Sequence, residues 1–246
     1  MPDWEWTWDD LADLAIEGRA ALDAAGRRNA WIVGDNSKNY QLFRYWVRQD
    51  GGELYTPEGG MGFNEEQLAA WWGYWRDLRV QGAVPDAATS IEYDNVTLEN
   101  SLFVAKRQAI TGTPANQFYL YVEAVPDSEL VIHRNPTKAG GQVGEYVEGA
   151  HFAISSQTTP EKKLAAAKLI DFWVNTEESY ELYGMDQGVP ANIEMAEYIK
   201  DVVDERHLAS LDYVTRISEL ASGAPPIVYP PAGGSEIDSL FRSTAE

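Results

Sequence analysis

Apolar residues recur at helical spacing in several stretches of the chain, and these stretches carry recognisable end signals. In TWDDLADLAIEGRAALDAAG, Leu11, Leu14 and Leu22 lie on one helical face. Thr7 is placed to cap the helix N-terminus, and Gly26 ends the run. The segment NEEQLAAWWGYWRDLRVQG follows the same scheme. Further helices are predicted at YQLFRYWVRQDGG, at TLENSLFVAK, over 160–175, 177–184, 192–201 and 205–222, and at the C-terminal end of the sequence.

Short apolar runs between these helices indicate strands. NAWIVG predicts a buried strand ending at Gly34, RQAITG predicts another, and ELVIHRNP is strand-like. Helices that alternate with isolated short strands, with few hairpin signals, predict an α/β fold with two lobes.

The hydroxyl cluster SSQTT at 155–159 joins an apolar strand-like run to a periodic helix. No GxSxG elbow surrounds Ser155 or Ser156, so nothing local supports a nucleophile. Thr158 or Thr159, followed by Pro160, instead gives the signature of a helix start. We therefore interpret this cluster as scaffold.

Composition excludes several functions for the 246-residue chain. It has no cysteine, and with 39 acidic against 19 basic residues its net charge is −20, which repels nucleic acid and anionic membranes. No apolar run approaches the roughly 18 residues of a membrane span. The acidic start MPDWEWTWDD is unlike a signal peptide, so for an exported protein we expect the targeting segment to lie outside this sequence.

No metal, cofactor or catalytic motif stands out. His133, His151 and His207 are far apart and lack metal-ligand spacing. DNSKN resembles a calcium loop but has Tyr40 where the glycine belongs and Trp46 where the closing glutamate belongs. GGMGF is not a dinucleotide fingerprint, and no phosphate loop exists. We expect no cofactor, no metal and no catalytic residue.

Aromatic residues are the positive signal, because nine Trp, 13 Tyr and seven Phe make up 12% of the chain. The tryptophans of WWGYW fall on a predicted helix and are interpreted as core. Tyr40, Phe118, Tyr119 and Tyr121 lie near loops that follow strand-like runs, where α/β folds bind ligands. Aromatic rings beside amides suit sugars, although each ring alone fits ordinary loop packing equally well. Two cleft carboxylates of a glycoside hydrolase remain an alternative, but none of the 39 acids is singled out.

The order of five motifs resembles the bacterial extracellular solute-binding proteins of family 1, the maltose-binding-protein-like sugar receptors of ABC importers. The motifs are PDWEWTWDDLADLA, NEEQLAAWWGYWRDLRVQGAVPD, SLFVAKRQAITGTPANQF, GAHFAISSQTTPEKKLAAAKLIDFWVNTEES and GVPAN. Together they span nearly the whole chain and are much more specific than any one of them.

The sequence also departs from that family. The usual Gly-Lys before one strand is Ala105-Lys106-Arg107, and the aromatic of the following loop is replaced by Asn116, with Phe118 two residues on. Family members begin with about a hundred further residues, comparable to a small domain, and continue into a terminal helix. The resemblance therefore implies that the first βα units of one lobe and the last helix lie outside this sequence.

The resemblance implies a type II periplasmic-binding-protein-like fold with two α/β lobes that close on a solute by a hinge motion. Residues 1–147 and 202–246 would form one lobe, equivalent to the C-terminal lobe, and 148–201 the helical part of the other. The implied function is non-enzymatic, high-affinity binding of a mono- or oligosaccharide for an ABC import permease. We expect an extracytoplasmic monomer, periplasmic or lipid-anchored, that binds no nucleic acid.

Candidate ligand residues follow from position in the resembling family. They comprise Asn36, Lys38, Asn39 and Tyr40 in the first loop, Thr113, Asn116 and Phe118 in the second, Glu148 and His151 near the crossover, and Gly234, Ser235 and Glu236 in the last. Aromatic rings would stack on the sugar while polar groups bond its hydroxyls. A glycoside hydrolase and a carbohydrate-binding module without a transport role remain the alternatives.

Overall fold

The computed structural model describes residues 4–94 and 96–245, and it divides into two compact units. Unit 1 comprises Met1–Gly112, Arg134–Tyr146 and Glu219–Glu246, and unit 2 comprises Thr113–His133 and Val147–Ser218. Pro2 and Asp3 of the first quoted motif lie outside the described residues, as does the last residue of the sequence.

The chain is rich in helices and has two short strands among its described residues. In chain order the elements are α1 (Trp8–Ala24), β1 (Trp31–Val33), α2 (Tyr40–Arg48), α3 (Glu65–Val80), α4 (Ala87–Glu92), β2 (Gln108–Ile110), α5 (Phe118–Ala124), α6 (Pro160–Asn175), α7 (Glu177–Tyr183), α8 (Ile193–Tyr198), α9 (Glu205–Leu220) and α10 (Gly234–Thr244). Single 3₁₀ turns occur at Leu98–Asn100, Ala115–Gln117 and Ile199–Asp201.

The predicted end signals are confirmed at several helices. Thr7 Oγ1 accepts from the Asp10 backbone N–H, and the Asp10 carboxylate accepts from the Thr7 N–H, which closes a capping box at the start of α1. Asn64 and Gln67 form the same reciprocal pair at α3. Thr159 caps α6 ahead of Pro160, so the hydroxyl cluster there marks a helix start.

The two strands are parallel neighbours in unit 1, with Trp31 opposite Gln108 and Val33 opposite Ile110. Because carboxyl ends of parallel strands meet at one edge of a sheet, the loop after β1 and the loop after β2 begin at the same edge. This edge is where α/β proteins place ligand-binding loops.

Aromatic packing forms the core of unit 1. Trp8, Trp46 and Trp71 meet edge to face, with Trp8 5.2 Å from Trp46 and 5.7 Å from Trp71 between ring centroids. Trp71 and Trp75 are fully buried, which confirms the interpretation of WWGYW as core. Buried indole N–H groups need acceptors, and Trp71 Nε1 donates to the Ser37 carbonyl at 3.0 Å.

A buried charge network ties two later segments of unit 1 to α2. Glu53 accepts from Arg44 at 2.7 Å and from Arg48 at 2.8 Å. Arg48 also donates to the Gly144 carbonyl at 2.9 Å and to the Pro225 carbonyl at 3.0 Å. All charges in the network are therefore paired, as burial requires.

Unit 2 is built from α5 to α8 and most of α9, and it contains no strand among its described residues. Its own core comprises Tyr180, Met185, Met195, Ile199 and Leu211.

The division between the units differs from the expected lobe boundaries at 113–133 and 202–218, which belong to unit 2. Ser210 donates to the Ala115 carbonyl at 2.8 Å, and Arg206 pairs with Glu123 at 2.7 Å. The expected lobes placed both segments with residues 1–112, whereas these contacts hold the two segments to each other.

Three local predictions differ from the structure. ELVIHRNP forms no strand, because the backbone there bonds to side chains, as where Trp6 Nε1 donates to the Arg134 carbonyl at 3.0 Å. TLENSLFVAK contains only a 3₁₀ turn and turns that follow it, with Ser101 Oγ bonding the Leu98 carbonyl. The predicted loop TPANQFY contains the start of α5, whose few residues carry no clear apolar period.

Candidate functional site

The first candidate loop leaves the carboxyl end of β1 and enters α2. Asn36 Nδ2 donates to the Gly34 carbonyl at 3.0 Å, and Asn39 Oδ1 accepts from the Leu42 N–H at 3.0 Å as the α2 N-cap. Lys38 pairs with Asp94 at 2.9 Å. All three side chains are partly exposed, so each keeps polar atoms at the surface while holding the loop in place.

Tyr40 and Tyr55 join this loop to the start of α10. Their hydroxyl oxygens are 2.9 Å apart, and the Tyr55 hydroxyl donates to the Gly234 carbonyl at 3.5 Å. Burial, followed by the bond to Tyr55, raises the pKa of Tyr40 far above its ordinary range. The Tyr40 ring packs on Phe241 with centroids 5.0 Å apart. Tyr40 is thus buried and packs against α10 through Phe241.

The start of α10 gathers the last three candidates. Gly233 has φ of 91° and no side chain caps the helix. A Cβ on Gly234 would lie 2.6 Å from Pro230 Cβ, so this position requires glycine. Ser235 and Glu236 are exposed, and Ser235 Oγ donates to Glu236 Oε2 at 2.9 Å, which lowers the pKa of that carboxyl. An exposed carboxylate and hydroxyl therefore stand beside helix N-terminal amides.

Tyr229 is a neighbouring aromatic that the sequence reasoning missed. Its side chain is 61% exposed and lies five residues before Gly234 in the segment IVYPPAGG. The sequence signal that could have identified it is an aromatic residue followed by two prolines, because prolines favour an extended backbone. In unit 1 the structure therefore brings Tyr40 and Gly234 together through Tyr55. Tyr229, in the segment before α10, and Ser235 and Glu236, in the first turn of α10, are exposed.

The second candidate loop belongs to unit 2. Thr113 Oγ1 donates to the Pro114 carbonyl at 3.4 Å, and Asn116 Nδ2 donates to the Asp186 carbonyl at 2.9 Å. Phe118 is buried at the start of α5. Asn116 therefore fixes this loop to the segment after α7, and Phe118 anchors it to the interior of the unit.

Tyr119, one residue beyond, is the more accessible aromatic of this loop. It is half-buried and stacks on His207 with ring centroids 4.7 Å apart. Burial, together with a hydrogen bond to Asp186, raises the pKa of Tyr119. His207 in turn bonds Asp204 through Nδ1 at 3.0 Å. The loop thus carries a flat aromatic pair beside carboxylates.

Glu148 and His151 are exposed in unit 2, within an extended segment that contains no regular element. Their neighbour Phe152 packs edge to face on Trp173, with centroids 5.8 Å apart. Across the described part of the chain, no group of three or more His, Asp and Glu side chains is placed to hold a metal ion.

Comparison with known proteins identifies the family. The family model described as bacterial extracellular solute-binding protein matches residues 3–209. The chain therefore belongs to the bacterial extracellular solute-binding proteins. The family is named for binding rather than for catalysis, and its description places its members outside the cytoplasm.

Two solved structures share the fold. One is a family 1 extracellular solute-binding protein from Alicyclobacillus acidocaldarius subsp. acidocaldarius DSM 446, with a TM-score of 0.77 and 24% sequence identity. The match covers 98% of this chain and 59% of that chain. The other is a periplasmic solute binding protein from Pectobacterium atrosepticum SCRI1043, with a TM-score of 0.73 and 17% identity over 99% of this chain and 61% of that one. The chain thus spans about three fifths of the length of each.

Hydrophobic length adds one further finding. Within residues 4–94 and 96–245, no helix combines the length and apolar character that crossing a bilayer requires.

Proposed function

We propose that this chain is part of a receptor that binds a carbohydrate outside the cytoplasm and delivers it, without catalysis, to the permease of an ABC importer. The match of the solute-binding family over residues 3–209 is the observation that carries this proposal. The receptor is a monomer in this proposal, held in the periplasm or by a lipid anchor at the outer face of the membrane.

The surface groups of unit 1 support an uncharged, polar solute. Ser235, Glu236 and the first amides of α10 offer both acceptors and donors, which a sugar hydroxyl can use at once. The exposed ring of Tyr229 offers a flat apolar face for the CH groups of a pyranose. With a net charge of −20, the chain disfavours anionic solutes.

The candidate residues divide into supporting and contacting groups in this proposal. Tyr40, Phe118 and Gly234 are buried and hold their loops in position. The partly exposed Asn36, Lys38, Asn39, Thr113 and Asn116 line the loops, and the exposed Glu148, His151, Ser235 and Glu236 offer polar contacts.

The glycoside hydrolase alternative requires an accessible carboxyl with a raised pKa. Among the described residues, Glu145 is the carboxyl whose pKa is clearly raised, and the cause is its burial. Its side chain accepts from the Asn135 N–H and is shielded from solvent, so it cannot reach a glycosidic oxygen. This observation favours binding over hydrolysis.

A matched pair of variants tests the role of α10. Glu236→Gln removes one exposed carboxylate beside the proposed contact, and Glu17→Gln removes one from the exposed side of α1. Both change the net charge equally. We expect Glu236→Gln to weaken sugar binding about tenfold, the loss of one charged hydrogen bond, with Glu17→Gln unchanged. Titration of intrinsic tryptophan fluorescence with the tightest sugar of a panel measures both, and equal affinities would remove Glu236 from the site.

A further inference from the structure

Four cations gather at one edge of the sheet in unit 1, at the amino ends of its strands. Arg27 and Arg28 lie in the loop that leads into β1, and Lys106 and Arg107 directly precede β2. Because β1 and β2 are parallel, these segments meet at the edge opposite the loop that leaves β1. The Arg27 guanidinium donates to the Lys106 carbonyl, and Arg107 Nε donates to the Asn29 carbonyl at 2.6 Å. We call these four cations the basic patch.

A buried arginine fixes the shape of the loop before β1. Arg19 is 8% exposed, and its guanidinium donates to the Arg27 carbonyl at 3.2 Å and to the Arg28 carbonyl at 3.3 Å. It also donates to the Ala30 carbonyl. With the bond from Arg107, every carbonyl from residue 27 to residue 30 accepts from a guanidinium. The backbone that carries the basic patch is therefore ordered in advance, which reduces the entropy lost on binding.

No acid neutralises the basic patch. Among the described residues, none of its four cations forms an ion pair. Asp23, whose charge interacts with that of Arg28, is bound to Arg19 instead. Elsewhere on the described surface exposed cations pair with acids, as at Arg76 and Arg242. Since the chain has 39 acidic against 19 basic residues, composition does not predict a group of four cations without an acid.

Lys106 keeps its charge at a backbone position that disfavours a side chain. Its φ is 54°, in the left-handed region, where a Cβ crowds the following carbonyl. Glycine would adopt this conformation without strain. The Lys106 side chain is exposed, so it does not offset the strain by packing in the core. The lysine therefore contributes something other than local stability, and its cation extends the basic patch.

The surroundings of the basic patch limit what it can bind. The whole chain carries a net charge of −20 in spite of these four cations, so the rest of the surface is strongly acidic. A broad anionic surface such as a bilayer would also come within the Debye length of those acids, about 8 Å at physiological salt. A narrow anionic segment can contact the basic patch alone. The occupant that fits is therefore small in cross-section.

The chemistry of the basic patch favours carboxylates on a polypeptide. Three of its four cations are arginines, whose planar guanidinium matches a carboxylate through two parallel hydrogen bonds. Trp31 lies beside them, half-buried, with the Arg107 guanidinium 5.9 Å from its ring centroid. This ring offers side-chain stems an apolar contact that a free inorganic anion does not use. We propose that the basic patch binds an acidic segment of another protein, through two or more of its Asp or Glu carboxylates.

Fluorescence anisotropy of a labelled hexaglutamate peptide tests this. We expect the protein to bind the peptide at about 20 mM NaCl, and at least about fivefold more weakly at about 150 mM, because salt screens exposed charges. Absence of binding at low salt would overturn the proposal. Tighter binding of inorganic phosphate, or of phosphatidylglycerol vesicles, than of the peptide would also overturn it, because the partner would then carry phosphate groups.

A matched pair of double variants separates the basic patch from the overall charge. Arg27→Gln/Arg28→Gln removes two exposed cations from the basic patch, and Lys162→Gln/Lys163→Gln removes two from the exposed start of α6. Both change the net charge equally. We expect the first to weaken peptide binding about tenfold, the loss of two exposed ion pairs, and the second by less than about twofold. Equal losses would mean that the peptide responds only to net charge, and the proposal would be wrong.

Lys106→Gly distinguishes binding from a role in the fold. Glycine relieves the left-handed backbone but adds freedom to the unfolded chain, and these effects oppose each other. We expect a melting temperature within about 2 °C of the unmodified protein and peptide binding about threefold weaker. A lower melting temperature with unchanged peptide binding would overturn the proposal. Sugar titration of Arg27→Gln/Arg28→Gln should match the unmodified protein, so the proposed function is tested separately.

Discussion

Glu53 is held between two arginines in the interior of unit 1. Its side chain is 6% exposed, and those of Arg44 and Arg48 are 10% and 1% exposed. Replacing Glu53 with Gln removes the carboxylate that both buried arginines share and leaves their positive charges with neutral partners. We expect the free energy of unfolding to fall by about 3–5 kcal/mol, the cost of breaking a buried pair. Urea unfolding followed by tryptophan fluorescence measures it, since the core tryptophans belong to unit 1.

The control is Asp238→Asn, which breaks the exposed pair with Arg242 on α10. Exposed pairs contribute about 0–1 kcal/mol, so this variant should unfold almost like the unmodified protein. A Glu53→Gln variant that is no less stable than Asp238→Asn would contradict the role assigned to the network.

Two buried carboxyls have pKa shifts of opposite sign. Burial raises the pKa of Glu53, but hydrogen bonds from Arg44 and Leu54 and the arginine charges outweigh it, so its pKa lies below the ordinary 4.5. Burial dominates at Glu145 and raises its pKa. Glu53 therefore contributes stability above about pH 4.5 that is lost as the pH falls through its lowered pKa. Glu145 favours folding below that pH, and its contribution is lost as the pH rises through its raised pKa.

Glu145→Gln tests the second sign. The Gln amide keeps an acceptor oxygen for the Asn135 N–H. It also removes the ionisable carboxyl, whose second oxygen, Oε2, has no hydrogen-bond partner among the described residues. We expect a melting temperature at pH 7 equal to or above that of the unmodified protein, and no gain at pH 4. Arg134 is the opposing charge nearby. A marked loss of stability at pH 7 would show that Glu145 is ionised and held by Arg134.

The sequence predicted the surroundings of individual side chains less well than it predicted helices. Sequence position put Tyr40 and Phe118 in ligand loops, and both rings are buried in this structure, because contacts distant in the chain enclose them. No local sequence pattern predicts the hydrogen bond from Asn116 to the Asp186 carbonyl, because the two residues are 70 positions apart. Tyr229, by contrast, is exposed in the segment that leads into α10, the helix whose first residues sequence position did identify as candidates.

At the scale of elements, the sequence predicted helix starts correctly where the capping residues are close together in the chain. The N-cap predicted at Thr7 and the helix start predicted at Thr158 or Thr159 before Pro160 depend on neighbours within four residues, and the structure confirms both, with Thr159 as the cap of α6. The strand expected in ELVIHRNP depends on a partner strand, which a local pattern cannot supply.

Thr7→Ala tests the contribution of the α1 cap. Losing the Oγ1 acceptor leaves the Asp10 N–H without its partner and removes the reciprocal capping box. We expect the free energy of unfolding to fall by about 1 kcal/mol, measured by urea unfolding. Thr7→Ser keeps the hydroxyl and should restore most of it. Equal losses in both variants would show that the methyl group, and not the cap, is responsible.

The whole molecule carries a net charge of −20, which opposes compaction. Its buried ion pairs are shielded from salt, whereas the repulsion among surface acids is not. We expect the melting temperature to rise by a few degrees when NaCl is increased from about 10 mM to about 150 mM, as calorimetry can measure. A steady fall with salt would mean that exposed ion pairs outweigh the repulsion.

The family match supports solute binding, and the proposal of a sugar adds to it the exposed groups at the start of α10. Isothermal titration of the protein against mono- and oligosaccharides, with peptides and polyols as comparison, tests this most directly. We predict one-to-one binding of a sugar, with the same sugar recovered intact. Hydrolysis without stoichiometric binding, or binding of peptides alone, would contradict it.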